Sequence, residues 1–230
     1  MKKELLIFGS NGALGKGITK TLLTKDYDKI FLFDFQNGEP VKDERTSFIE
    51  INDLSSEYNV KAAFSSIQPS KQSAFFLYST VGGFFGGKKL WETEESEWDQ
   101  MFNMNLRASF QIAKYFSLLV KESNSGSICF TSAFTGLQPE SNKAAYGSSK
   151  AALIHLVETL ALEGREIKLT VNAIAPFIID TPANRQWMKN SNYDSWMKPE
   201  EIGNLVHSIF ENYHFLTGNI IELTNRFIIN

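Results

Sequence analysis

Short apolar runs alternate along the chain with longer stretches whose apolar residues recur at helical spacing. Leu5–Phe8 reads as a strand and is followed by a helix from about Ala13 to Thr24. Ile30–Phe33, Phe48–Ile51, Ala74–Tyr78, Ser127–Phe130, Leu169–Ala173 and Asn219–Leu223 read as further strands. Helical spacing fits Glu95–Val120, with room for a break, then Ala145–Leu162 and Glu200–Phe210. The strand runs are nearly continuous in apolar residues rather than alternating, the pattern of strands covered on both faces. Strand–helix alternation then implies an α/β fold, a doubly wound parallel sheet of about seven strands with helices on both faces. In such a sheet, ligands bind beyond the carboxyl ends of the strands.

Those ends carry the informative residues. Gly9-Ser10-Asn11-Gly12-Ala13-Leu14-Gly15 follows the first strand and opens a helix. Glycines there let the backbone turn sharply and let a pyrophosphate come close, while free amides at the helix start favour its charge. The spacing is G-x-x-G-x-x-G, a variant of the Rossmann-type dinucleotide loop. Asp34 ends the second strand, nineteen residues after Gly15. A carboxylate at that place accepts hydrogen bonds from ribose hydroxyls and repels a 2′-phosphate, which favours NAD(H) over NADP(H). Lys16 beside the loop is a possible counterweight, although a lysine in a first helical turn more often faces water. Asp53-Leu54 follows the third strand; Asp53 either bonds an adenine amino group or caps a following helix.

Tyr146-Gly147-Ser148-Ser149-Lys150 opens an apolar helix and places tyrosine and lysine on one face. A free tyrosine has a pKa of about 10, too high for efficient acid–base work at neutral pH. A nearby ammonium favours the phenolate and makes the pair able to shuttle a proton. Thr131-Ser132 ends the preceding strand, and a hydroxyl there can polarise a substrate carbonyl. Asn105 lies mid-helix, where asparagine has poor propensity. It either holds a water in a proton relay or bonds a neighbouring backbone carbonyl.

These residues, in this order and spacing, resemble the short-chain dehydrogenase/reductase family over nearly the whole chain. The resemblance implies a catalytic centre of Asn105, Ser132, Tyr146 and Lys150. It also implies cofactor contacts from Gly82, Tyr146, Lys150, Pro176 and Thr181, with Lys150 on the nicotinamide ribose and Thr181 on the carboxamide. Family members are commonly dimers or tetramers, so a homodimer or homotetramer is expected. The chain departs from the family in several places. Ser79-Thr80-Val81-Gly82-Gly83 replaces the usual Asn-Ala-Gly, and Pro176-Phe177 replaces Pro-Gly. The serine-to-tyrosine separation is one residue longer than in most members. Several of these features, with Gly86-Gly87 and Asp180-Thr181-Pro182, look like the dihydropteridine reductase subgroup. That subgroup prefers NADH and reduces a quinonoid pterin at ring nitrogens without the serine. Ser132 is present here, so a carbonyl substrate stays open.

Composition narrows the alternatives. The 230 residues are 43% hydrophobic, enough for one large core, and a single domain spanning 1–230 is expected. Net charge is -3, from 23 basic and 26 acidic residues, so no nucleic-acid footprint is expected. No run is long and apolar enough to span a bilayer, and the Leu5–Phe8 run is too short for a signal peptide, so the cytoplasm is the expected location. Cys129 is the single cysteine and reads as a buried strand residue. His155, His207 and His214 are scattered, and no metal spacing is evident. Aromatics between Pro182 and Pro199, and Phe84-Phe85 between two glycine pairs, are candidate walls for a small-molecule substrate. Trp196 reads as packing and Trp187 as undecided. Two other readings are a cofactor-binding regulator without catalysis and a scaffold without a nucleotide; the intact Ser132–Tyr146–Lys150 set argues against the first, and the intact glycine loop with Asp34 against the second.

Overall fold

The computed structural model describes residues 1–35, 38 and 41–227. Seven strands form one sheet: β1 (Lys2–Phe8), β2 (Lys29–Asp34), β3 (Thr46–Glu50), β4 (Ser73–Ser79), β5 (Ser125–Thr131), β6 (Leu169–Pro176) and β7 (Ile220–Leu223). Their order is β3-β2-β1-β4-β5-β6-β7, with every pairing parallel. The order reverses between β1 and β4, which opens a crevice at their carboxyl ends. The expected doubly wound architecture is therefore present, and Gly9, Asp34, Ser132 and Pro176 fall along one edge of the sheet.

Side-chain alternation along each strand divides the core in two. Leu6 and Phe8 of β1 point to the face covered by α2 (Glu57–Ser65), α4 (Ala108–Lys121) and α6 (Ala144–Glu163). Leu5 and Ile7 point to the face covered by α1 (Ala13–Leu22) and α8 (Pro199–Glu211). All four are fully buried, and burial of such a side chain is worth about 1.5–3 kcal/mol. On the first face Phe8 stacks on Phe33 with centroids 4.1 Å apart, and Phe64 of α2 closes the stack. Trp196 is buried, as expected of packing, whereas His155 is exposed on α6.

The edges differ from the central strands. β3 begins two residues earlier than the apolar run suggests and is largely exposed, with Phe48 49% accessible. It has one neighbouring strand, and its helix layer reaches only Ile49 and Ile51. The long helix expected over Glu95–Val120 does break. α3 (Glu95–Phe102) passes into a single π-helical stretch, Asn103–Arg107, before α4. Such a widened turn redirects side chains and frees carbonyls, and here it carries Asn105. Asp53 does not cap α2, whose N-cap is Ser56; it closes the turn ahead by accepting from Ser55 N and Oγ at 2.9 and 2.7 Å. No helix among the described residues is long and apolar enough to cross a membrane.

Candidate active site

The glycine loop runs from the end of β1 over the start of α1. Gly9 has φ +81°, a conformation that favours glycine. A Cβ on Gly15 would lie 1.9 Å from the Gly9 carbonyl oxygen, so loop and helix approach as closely as a glycine permits. Asp34 fixes the loop from the side: its carboxylate accepts Asn11 N–H at 2.6 Å and Phe35 N–H at 2.7 Å. Two such bonds leave acceptor capacity on both oxygens. Gly9, Gly12, Asp34, Asp53, Leu54, Thr80 and Gly82 border one chamber of about 390 Å³. The Ser10 hydroxyl is buried and has no hydrogen-bond partner among the described residues. A helix start stripped of Cβ atoms, an orphaned buried hydroxyl and a carboxylate at the far wall fit a dinucleotide. Ala13, Leu14 and Gly15 support the loop from the first turn of α1 rather than bordering this chamber.

A second chamber of about 600 Å³ shares Thr80 and Gly82 with the first and continues along the sheet edge. Tyr146, Lys150, Ser132 and Pro176 border it. Lys150 is there because α6 buries one stripe: Ser149, Lys150, Leu153, Ile154, Val157 and Ala161. The lysine continues that stripe toward the helix start and so enters the protein. Its Nζ donates to the Thr131 carbonyl at 2.9 Å and lies 6.0 Å from the Tyr146 ring centroid. Burial lowers its pKa to about 8. Tyr146 moves the other way, pushed up to about 12 by burial, with the nearby Glu140 carboxylate adding to the effect. The expectation that the ammonium draws the phenol toward phenolate is therefore not met in the free protein. Desolvation outweighs it, and Tyr146 stays a neutral phenol.

Asn105 is fully buried and ties three segments together. Its Oδ1 accepts Gly83 N–H at 2.9 Å, and its Nδ2 donates to Gly83 O at 3.1 Å and to Ser149 Oγ at 3.0 Å. A Cβ on Gly82 would lie 2.6 Å from Asn105 Oδ1 and 2.9 Å from Lys150 Nζ. The asparagine side chain thus holds the loop after β4 against the start of α6, bonding a carbonyl remote in sequence. Ser132 borders the chamber, but its Oγ donates to the Lys150 carbonyl at 3.1 Å. Thr181 is the N-cap of α7 (Pro182–Trp187), accepting Asn184 N–H at 3.2 Å, and is not in the chamber wall.

The outer wall was only partly foreseen. Phe84 meets Tyr146 edge-on at 4.9 Å and Trp187 at 5.0 Å; Phe84 is a wall as expected and the undecided Trp187 is one too, while Phe85 lies beneath Lys88 instead. Thr135 of the short α5 (Phe134–Leu137), Glu140, Lys143 and Met188 also line the chamber and carry no motif. The one available hint is position, since Glu140 and Lys143 lie in the segment joining β5 to Tyr146. Outside the cleft, Asp26, His207 and Glu211 converge to within 4.8 Å, a grouping that sequence spacing hides. Lys3 Nζ is 2.9 Å from both carboxylates and supplies the positive charge there. Cys129 is buried within β5, and burial raises its thiol to about 12, an inert setting.

Comparison with known proteins agrees with this geometry. The family model for short chain dehydrogenases matches residues 3–192. A dihydropteridine reductase of Dictyostelium discoideum is 29% identical over 204 residues, covering 88% of this chain and 85% of that relative. A 3-oxoacyl-[acyl-carrier-protein] reductase, MabA, of Mycobacterium tuberculosis is 25% identical over 185 residues, covering 80% of this chain and 72% of its own length. Among solved structures, ElxO with NADP bound superposes with a TM-score of 0.82 at 23% identity, over 97% of this chain and 98% of that one, and shares the fold. The chain belongs to the short-chain dehydrogenase family and is an oxidoreductase built on its NAD(P)-binding fold.

Proposed function

We propose that this protein is an NADH-preferring reductase of a small carbonyl or pterin-like compound, with Tyr146 as the proton donor. The observation that carries the reading is a neutral Tyr146 facing the same chamber as Lys150 and the Gly82 loop. A bound nicotinamide supplies hydride. Tyr146 then gives its hydroxyl proton to the substrate oxygen or nitrogen that gains negative charge, and it becomes a phenolate. Lys150, still cationic at pH 7 with a pKa of about 8, stabilises that phenolate while donating to the Thr131 carbonyl. Asn105 keeps the Gly82-Gly83 backbone in place beside the reacting atoms. Gly9 to Gly15, Asp34, Asp53 and Leu54 would hold the adenosine and pyrophosphate, and Pro176 and Thr181 the nicotinamide side. The similarity to a dihydropteridine reductase supports the pterin-like choice.

The same reading extends to assembly. Phe110 and Leu118 on α4 and Leu162 on α6 are 46%, 51% and 67% exposed. Apolar exposure on these helices fits a homodimer or homotetramer in the cytoplasm.

The test is NADH oxidation against a panel of small carbonyls and a quinonoid dihydropterin. Turnover of at least one is expected, and Tyr146→Phe should lower kcat by roughly two to four orders of magnitude, the usual reach of a positioned acid. Its NADH affinity should stay within a factor of about two, because the hydroxyl acts in the transition state. A Tyr146→Phe protein that keeps most of its rate would refute the centre, whereas no turnover of any compound by the wild type would leave the regulator reading standing.

A further inference from the structure

Phe84, Tyr146, Phe177 and Trp187 line much of the substrate chamber, and one part of its wall carries a charged pair. There Glu140 Oε1 accepts from Lys143 Nζ at 2.8 Å, and its Oε2 accepts from Thr135 Oγ1. The two charged side chains are 26% and 30% exposed, so the pair is sheltered yet open to the cavity. Lys143 Nζ also lies 5.9 Å from the Phe84 ring centroid. The segment bearing the pair is anchored by Gly87 N–H, which donates to Asn142 O at 2.8 Å. An ion pair at the surface stabilises little, and nothing in the proton-transfer centre uses this one.

Its unused valences define what it can hold. An ionised carboxylate has about four acceptor sites, and Lys143 and Thr135 occupy two. Lys143 keeps about two N–H donors free. Acceptor and donor therefore sit side by side in the chamber that Phe84 and Trp187 also line. A simple ketone offers an acceptor alone and would leave the carboxylate facing an apolar group, which is unfavourable. A flat ring with an N–H beside a carbonyl answers both.

We propose that Glu140, positioned by Lys143 and Thr135, is the specificity-determining residue of the substrate chamber and selects flat heterocycles bearing an amino-amide edge. This rests on the second chamber being the substrate site, as set out above. The carboxylate accepts the ring N–H or amino N–H, and Lys143 donates to the adjacent carbonyl. The aromatic walls receive the ring faces, and the remote hydrogen bonds set which ring atom faces Tyr146. Glu140 takes no part in proton transfer.

The experiment measures binding by calorimetry, using protein saturated with NADH and two planar bicyclic probes. Pterin carries the amino-amide edge; quinoxaline has the same ring size without N–H. The wild type should bind pterin at least tenfold more tightly than quinoxaline. Glu140→Ala should weaken pterin about tenfold, the size of one charge-assisted bond, and leave quinoxaline unchanged. Glu140→Gln, which keeps one acceptor oxygen, should fall between. Equal effects of Glu140→Ala on both probes, no effect on pterin, or no wild-type preference would each overturn the proposal. These outcomes are separate from the catalytic reading, which stands or falls on Tyr146→Phe turnover.

Discussion

Backbone walls one end of the cleft and side chains wall the other. Around Gly9, Gly12 and Gly82 the surface is main chain brought close by missing Cβ atoms, with Asp34 accepting two backbone N–H bonds. Around Tyr146 the surface is Phe84, Thr135, Glu140, Lys143, Phe177 and Trp187, drawn from segments far apart in the chain. A backbone cradle depends on a short run of residue types at fixed spacing. A side-chain chamber depends on which loops happen to meet. The first end should therefore respond to substitutions in cofactor affinity, and the second in substrate choice. Lys150 Nζ lies against Gly82, which both chambers share, so a change there should respond in both.

That makes Lys150→Met the largest expected effect. Turnover should fall by more than about a hundredfold, in the range seen for loss of a positioned acid–base group, and NADH affinity should fall with it. Stability should move in the opposite direction. The folded pKa of Lys150 is about 8 against the ordinary lysine value of 10.5, so the folded state binds fewer protons than the unfolded state between those values. The penalty for burying the charge is complete below about pH 8 and vanishes above pH 10.5. Methionine removes it at the cost of one hydrogen bond to Thr131 O. The cofactor-free variant should melt on the order of 5 °C higher at pH 7. That gain should shrink as pH rises from 8 to 10.5. Tyr27, Tyr78 and Cys129, whose raised pKa values act with the opposite sign, are common to both proteins and drop out of the difference. Lower melting of Lys150→Met at pH 7 would show that the lysine is not held against its solvation, and the two ends would no longer be joined through a strained charge.

The contrast also explains what could be read from the chain. The parallel, doubly wound sheet followed from strand–helix alternation, and the chamber walled by backbone from Gly9, Gly12 and Asp34, because local residue types there settle local backbone. β3 was misplaced by two residues because an edge strand is not required to be continuously apolar. The π-helical stretch at Asn103–Arg107 announced itself only as a poorly placed asparagine. Glu140 and Lys143 gave no sign, since a charged pair three residues apart looks like any solvated loop until the Phe84 loop is folded against it. The Tyr146 pKa went the wrong way for a related reason. The spacing to Lys150 is visible in sequence, but the desolvation that outweighs it is not.

Asp34 tests the backbone end alone. Asp34→Ser should narrow the ratio of NADH to NADPH affinity by roughly tenfold, the worth of one charge-assisted contact. Part of the change should appear as weaker NADH binding, because Asn11 N–H and Phe35 N–H lose their carboxylate. Asp34→Asn separates the two causes, since the amide keeps one acceptor and loses the charge. Fluorescence titration with both nucleotides reads each variant. Equal wild-type affinity for NADH and NADPH would mean that the carboxylate is spent on holding the loop and does not choose the cofactor.

The smallest expected effect belongs to Ser132, and it sharpens the comparison most at the substrate end. A serine that polarises a substrate carbonyl must aim its hydroxyl into the chamber. Here Ser132 is 2% exposed, and its Oγ donates to the Lys150 carbonyl at 3.1 Å. The hydroxyl therefore braces the first turns of α6 rather than facing a ligand. Ala133 follows it with an extended backbone, φ -156° and ψ 155°, so the next residue along the edge brings no hydroxyl to the wall. Ser132→Ala should cost about 1 kcal/mol of stability, the net worth of one buried hydrogen bond, seen as a small drop in melting temperature. Its kcat should stay within about threefold of wild type, because the group is absent from the transition state. Chemistry at a ring nitrogen tolerates that arrangement, whereas an unactivated ketone is reduced with no donor beyond Tyr146. A loss of about a hundredfold with unchanged melting would mean that Ser132 turns toward the substrate when the complex forms. The carbonyl reading would then gain over the pterin-like one.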